Sequence, residues 1–112
     1  MKTHHMKLSE PWYTYIRNKQ KTVEGRLCDE KRKTFEVGDK IIFTDENGKK
    51  EFKVKITELK MFNDFESGLR YAKLKNILPG VKTYKEGVDL FNSLPNYKKR
   101  VKKDGFLLIY FR

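Results

Sequence analysis

Glu51-Phe52-Lys53-Val54-Lys55-Ile56-Thr57-Glu58-Leu59-Lys60-Met61 is the stretch whose reading decides the fold. Phe52, Val54 and Ile56 alternate with Lys53, Lys55 and Thr57, the period-two pattern of a strand with one face buried and the other in water. After Ile56 the apolar positions shift by one, to Leu59 and Met61. An extra residue in one strand of a pair produces such a slip and bends the strand, so a β-bulge is expected near Thr57-Glu58. A bulge there would curl the sheet toward a small barrel.

The neighbouring segments extend this picture. Asn47-Gly48 is a strong hairpin signal, and Gly38-Asp39 reads as a turn into the partner strand Lys40 to Thr44. Lys2 to Leu8 and Thr22 to Cys28 read as further strands. Phe106 to Phe111 is almost wholly apolar, as expected of a central strand covered on both faces. Ser9 is expected to cap a helix running to about Lys19, with Glu10 and Pro11 in its first turn. Trp12, Tyr15 and Ile16 share its inner stripe. Asp64 is expected to cap a second helix carrying Phe65, Leu69, Ala72 and Leu74, broken by Leu78-Pro79-Gly80. Thr83 and Glu86 form a capping-box pattern opening a third, with Tyr84, Val88 and Phe91 inward and Pro95 at its end. A basic stretch, Lys98 to Lys103, leads through Asp104-Gly105 into the last strand. The order predicts an α+β fold, a small mixed β-barrel or strongly curved sheet with helices packed against it.

Composition bounds the function. The 112 residues make a single domain, 1–112, and carry 26 Lys and Arg against 15 Asp and Glu, a formal net charge of +11. Eight Phe, six Tyr and Trp12 supply the area for a core. The charge attracts polyanions: RNA or DNA first, an anionic membrane surface second, with a merely solvated Lys-rich surface as the plain alternative. The lone Cys28 excludes an internal disulfide, fits a reducing, cytoplasmic setting, and reads as a buried strand residue rather than a nucleophile. No apolar run approaches the roughly 18 residues of a membrane helix, and the first residues hold no apolar signal core. His4 and His5 are adjacent and point to opposite faces of a strand, and no second Cys supplies ligand spacing. No metal or other cofactor is expected.

The candidate site is Lys19-Gln20-Lys21-Thr22-Val23-Glu24-Gly25-Arg26. On a strand, Thr22, Glu24 and Arg26 project to one side, and Lys21 at the helix-to-strand junction can reach the same mouth. A Glu and an Arg on one side of a barrel strand are costly to bury unless paired or facing a cleft. Gly25 is expected to admit a ligand or another backbone at close range. Two cations, a carboxylate and a hydroxyl would suit a phosphate or a nucleobase edge, and an exposed Glu24–Arg26 pair is the bland alternative. Trp12 and Tyr13 are placed to stack a base at the cleft edge, although Trp12 is also a core candidate. The clusters Lys31, Arg32, Lys33 and Lys98, Lys99, Arg100 are of the kind that contacts phosphates.

Glu10-Pro11-Trp12 followed by Lys21-Thr22-Val23-Glu24-Gly25-Arg26 resembles the ASCH domain, a PUA-like family with the fingerprint Gly-x-Lys-x-x-Glu-x-Arg. Lys21, Glu24 and Arg26 match, and Lys19 stands where the glycine is expected. The likeness continues through Asp29-Glu30-Lys31-Arg32, Val37-Gly38-Asp39, Leu78-Pro79-Gly80-Val81 and Glu86-Gly87-Val88 to Gly105 and the closing strand. It implies a PUA-like barrel with helices beside a cleft, and RNA-related roles: binding modules, ribonucleases, or amidohydrolases acting on N4-acetylcytidine. The amidohydrolase branch reads Lys-Thr-x-Thr-x-Arg here, with the second Thr as nucleophile. Glu24 occupies that place, which ranks this activity below binding. For RNA cleavage, Glu24 would take the proton of a 2′-hydroxyl while Lys21 or Arg26 stabilised the phosphorane. RNA or a nucleotide is therefore the expected partner, bound by Lys21, Thr22, Glu24, Arg26 and Trp12. A protein partner that leaves the cleft charges dispensable is the third reading.

Overall fold

A computed structural model describes residues 1–112. Its five strands form one curled half-barrel sheet in the order β1 (Thr3–Lys7), β3 (Lys40–Thr44), β4 (Glu51–Phe62), β5 (Phe106–Phe111) and β2 (Val23–Leu27). β1 runs parallel to β3, and the other neighbours are antiparallel. Five helices complete the chain: α1 (Trp12–Arg17), α2 (Phe65–Ala72), α3 (Leu74–Ile77), α4 (Tyr84–Asn92) and α5 (Tyr97–Asp104), with a 3-10 turn at Arg32–Thr34.

The curling device is where the sequence placed it. Ile56 faces Phe111 and Glu58 faces Tyr110, which leaves Thr57 as the extra residue. β4 runs on to Phe62, because β5 pairs with it to the last residue. At the β3–β4 turn Gly48 has φ +68°, and the Asp45 carboxylate accepts the Lys49 N–H at 2.8 Å. β5 divides the interior as a central strand must. Leu107 and Ile109 join Met6, Ile41, Phe43 and Ile56 beneath α1, whereas Phe106 and Leu108 join Val23, Leu69, Ile77 and Phe91 beneath the other helices. Each such fully buried side chain is worth about 1.5–3 kcal/mol relative to exposure.

The helices depart from expectation in instructive ways. α1 starts at Trp12, with Pro11 at the cap position and no side-chain cap from Ser9. Glu10 satisfies the first turn instead, accepting the Thr14 N–H at 3.1 Å and its hydroxyl at 2.8 Å. With the helix begun there, Tyr13 and Ile16 are buried, and Trp12 and Tyr15 are half-buried. The Asp64 and Thr83 caps form as expected, accepting from Ser67 N at 2.7 Å and Glu86 N at 3.1 Å. Lys73, at φ +72°, breaks the second helix, so Leu74 begins α3 rather than ending α2. The basic stretch Lys98 to Lys103 is helical. Val101 is the one buried residue of α5, too few for a periodic stripe to announce it.

Gly25 does not hold space open. A Cβ there would stand 2.6 Å from the Phe106 ring, and one on Gly68 of α2 would meet another edge of the same ring at 2.6 Å. The ring of Phe106 is clamped between two missing side chains.

Candidate functional site

β1 and β2 are the two free edges of the half-barrel, and side chains bridge them where backbone does not. Arg26 Nη2 donates to the Lys7 carbonyl at 3.2 Å, and Lys31 Nζ donates to the His5 carbonyl at 3.3 Å. The unpaired carbonyls of an edge strand are natural acceptors for such cations. A cleft of about 280 Å³ opens at this seam. Lys7, Glu24 and Arg26 form its strand side, Leu90, Leu94 and Tyr97 its helical side, and Trp12 stands between.

The alternation of β2 sets the polar floor. Glu24 and Arg26 lie opposite Ile109 and Leu107 and share their face, while Val23 and Leu27 turn to the helices. The Glu24 carboxylate is held from both ends, by Lys21 Nζ on Oε1 at 3.2 Å and by Arg26 Nε on Oε2 at 2.8 Å. Lys21 is 2% exposed; its ammonium also donates to the Val23 carbonyl at 2.7 Å and to the Ile77 carbonyl. Those three partners match its three N–H groups. The same ammonium lies 5.6 Å from the Trp12 ring centroid.

The electrostatics follow from this packing. Burial pushes the Glu24 carboxyl up, but Lys21 and Arg26 together outweigh it and hold the group below its ordinary value, ionised. Burial lowers the Lys21 ammonium against the opposing pull of Glu24. Arg26 is raised, burial being overcome by Glu24. The triad carries a net single positive charge. Each Glu24 oxygen keeps a lone pair, and the Arg26 guanidinium keeps unused N–H groups toward the cleft.

The structure sorts the other sequence candidates. Trp12 is at the cleft, whereas Tyr13 is core, its ring 5.2 Å from that of Phe52. Thr22 is exposed and lies outside the cleft, its N–H bound to the Asn76 carbonyl at 2.9 Å, because β2 begins only at Val23 and carries no strand alternation back to it. Arg32 and Lys33 pair with Asp29 and Glu30, both at 3.2 Å. Lys98, Lys99 and Arg100 are exposed on α5, and Arg100 pairs with Asp104 at 2.8 Å. Cys28 is buried, and burial pushes its thiol up, away from nucleophilic use. Sequence reasoning missed Tyr97 and the apolar wall of Leu90 and Leu94. The only signal was that Leu90 and Leu94 fall off the core-facing stripe of Tyr84, Val88 and Phe91.

The model of the ASCH domain matches residues 6–112. The chain belongs to the ASCH domain family. That family is PUA-like and associated with RNA binding. The domain is similar to the crystal structure of hypothetical protein PH0355, at 36% identity and a TM-score of 0.87, over 98% of this chain and 97% of that one. It is also similar to the solution structure of protein PF0455 from Pyrococcus furiosus, at 34% identity and a TM-score of 0.76, over 98% and 96%. An ASCH domain structure from Lactobacillus crispatus shares the fold at 17% identity and a TM-score of 0.60, over 99% and 79%. No curated protein matches the chain. No helix of this ASCH domain is long and apolar enough to cross a membrane.

Proposed function

We propose that this ASCH domain binds RNA by taking one unpaired or modified nucleobase into the seam cleft. The observation that supports this reading is the pairing of free acceptors on Glu24 with free donors on Arg26, opposite a wall of Trp12, Leu90, Leu94 and Tyr97. A base presents adjacent donors and acceptors on its edge and an apolar face on either side, so it complements both walls at once. A bare phosphate fits the floor less well, because the Glu24 carboxylate would repel it. At about 280 Å³ the cleft suits a nucleoside and not a duplex.

The same geometry favours binding over turnover. A general base works best with its pKa near the operating pH, and Glu24 is held below its ordinary value between two cations. Lys21 has no N–H left for a phosphorane. Trp12, the sole tryptophan, reports on the cleft directly. Titrating nucleosides and single-stranded RNA should change its emission, and Arg26→Ala should weaken binding roughly tenfold or more while the RNA stays intact on a gel. An emission unmoved by every nucleoside and by RNA sinks the reading, and shortened RNA would make the protein an enzyme.

A further inference from the structure

A second groove lies at the open end of the half-barrel, where the end of α1, the start of β4 and the end of β5 converge. It encloses about 500 Å³ and is lined by Arg17, Lys19, Lys53 and Arg112 around the rings of Phe52 and Phe111. No acidic side chain lines it. None of these four cations forms an ion pair. Glu10 and Glu51 line a neighbouring hollow beside Arg17, and neither pairs with it. The Arg17 guanidinium instead rests 5.3 Å from the Phe52 ring centroid, which fixes its position.

Lys19 is held by the turn that ends α1. Its φ is +70°, a conformation glycine adopts freely and a lysine adopts only with strain. The turn that holds it is built locally, with Gln20 N–H on the Asn18 side-chain oxygen at 3.1 Å and Lys21 N–H on the Tyr15 carbonyl at 2.9 Å. The turn that follows α1 thus carries a fourth unpaired cation at the groove. Thr22, absent from the cleft, borders this groove, and its hydroxyl has no partner in the protein.

We infer that this groove is a phosphate site, in which Arg17, Lys19, Lys53 and Arg112 neutralise a phosphate group and the Thr22 hydroxyl donates to one of its oxygens. The phosphate comes from a polynucleotide backbone or from a free nucleotide. Four like charges around one concavity repel one another in the free protein, and a phosphate relieves that repulsion. The inference is independent of the seam cleft, which lies on the other side of the buried Lys21.

The test has two arms. In the first, a fluorescein-labelled oligouridylate of about ten nucleotides is titrated with wild type, Lys19→Gly and the double variant Arg17→Ala/Lys53→Ala at about 50 and 200 mM KCl. The double variant should bind roughly tenfold more weakly at the lower salt. The slope of log Kd against log salt should become shallower by about 1.4, from two lost contacts at about 0.7 each. Lys19→Gly should bind more weakly while its melting temperature is not lowered, a combination that a merely structural lysine does not give. In the second arm, uridine monophosphate is added and the amide NMR signals of Lys19 and Thr22 are followed in wild type and in Arg26→Ala, whose cleft is impaired. Lost RNA affinity in the groove variants identifies a backbone phosphate. Amide shifts that persist in Arg26→Ala, with RNA affinity unchanged in the groove variants, identify a free nucleotide. Unchanged affinity, unchanged slope and unmoved amides overturn the site, leaving the cleft reading to stand or fall on Trp12.

Discussion

Lys21 has three N–H groups and three acceptors around them, and it is nearly out of contact with water. Lys21→Met keeps the bulk but leaves Glu24 with one cation and leaves two carbonyls without their donor. Breaking a buried pair by removing one partner typically costs about 3–5 kcal/mol, and a urea denaturation midpoint should show a loss of that order. A second buried pair sits elsewhere. His4 Nε2 meets Asp39 Oδ2 at 2.8 Å, and the Asp39 carboxylate also accepts the Lys2 and Glu36 N–H groups at 3.1 and 3.0 Å. The hydrogen bond from His4, chiefly, lowers the Asp39 carboxyl from its ordinary 3.8 to about 2. A folded-state pKa below the unfolded one contributes stability that is present above about 3.8 and is lost as the pH falls toward about 2. Urea midpoints between pH 5 and pH 2 should therefore fall more steeply for wild type than for Asp39→Asn. The identity of the triad was legible in the spacing of Lys21, Glu24 and Arg26. Which of its N–H groups were already spent was not, because Ile77 supplies one acceptor from far along the chain.

At the scale of elements, β2 and α2 approach each other through one ring. Phe106 is fully buried, and two edges of its ring occupy the places where side chains on Gly25 and Gly68 would stand. Gly25→Ala forces that ring to move and should cost about 1–3 kcal/mol by overpacking. Combining it with Phe106→Leu, which removes the ring, should recover part of the loss in a double-mutant cycle. Simple additivity would show that the ring is not what excludes the side chain. The sequence reads Gly25 as room for a ligand because a strand glycine carries the same signature whether a ligand or a neighbouring ring fills the space. The bulge at Thr57 and the caps at Asp64 and Thr83 were readable because each depends on residues within a few positions. The helix α5 was not, since its contacts to the core are only Tyr97 and Val101, too few to mark a stripe.

Across the whole molecule, 26 basic residues exceed 15 acidic ones, and part of that excess lines two concave sites on either side of Lys21. One offers a base edge and an apolar wall, the other cations without counter-ions. RNA binding should accordingly weaken with salt chiefly through the second groove, and the Trp12 response to uncharged nucleosides should be nearly independent of it. By itself the sequence determined the half-buried strands, the bulge that curls them, the central β5, the excess of positive charge and the Lys21–Glu24–Arg26 grouping. All of these rest on local periodicity, local hydrogen bonding or composition. Only the tertiary structure decided that β1 and β2 remain unjoined, that the cleft opens along their seam, that Tyr97 and Leu90 wall it, and that Thr22 belongs to another groove. Those outcomes depend on how far the sheet curls before its edges meet, and curvature sums over the whole sheet and its packed helices, so no single stretch of chain encodes it.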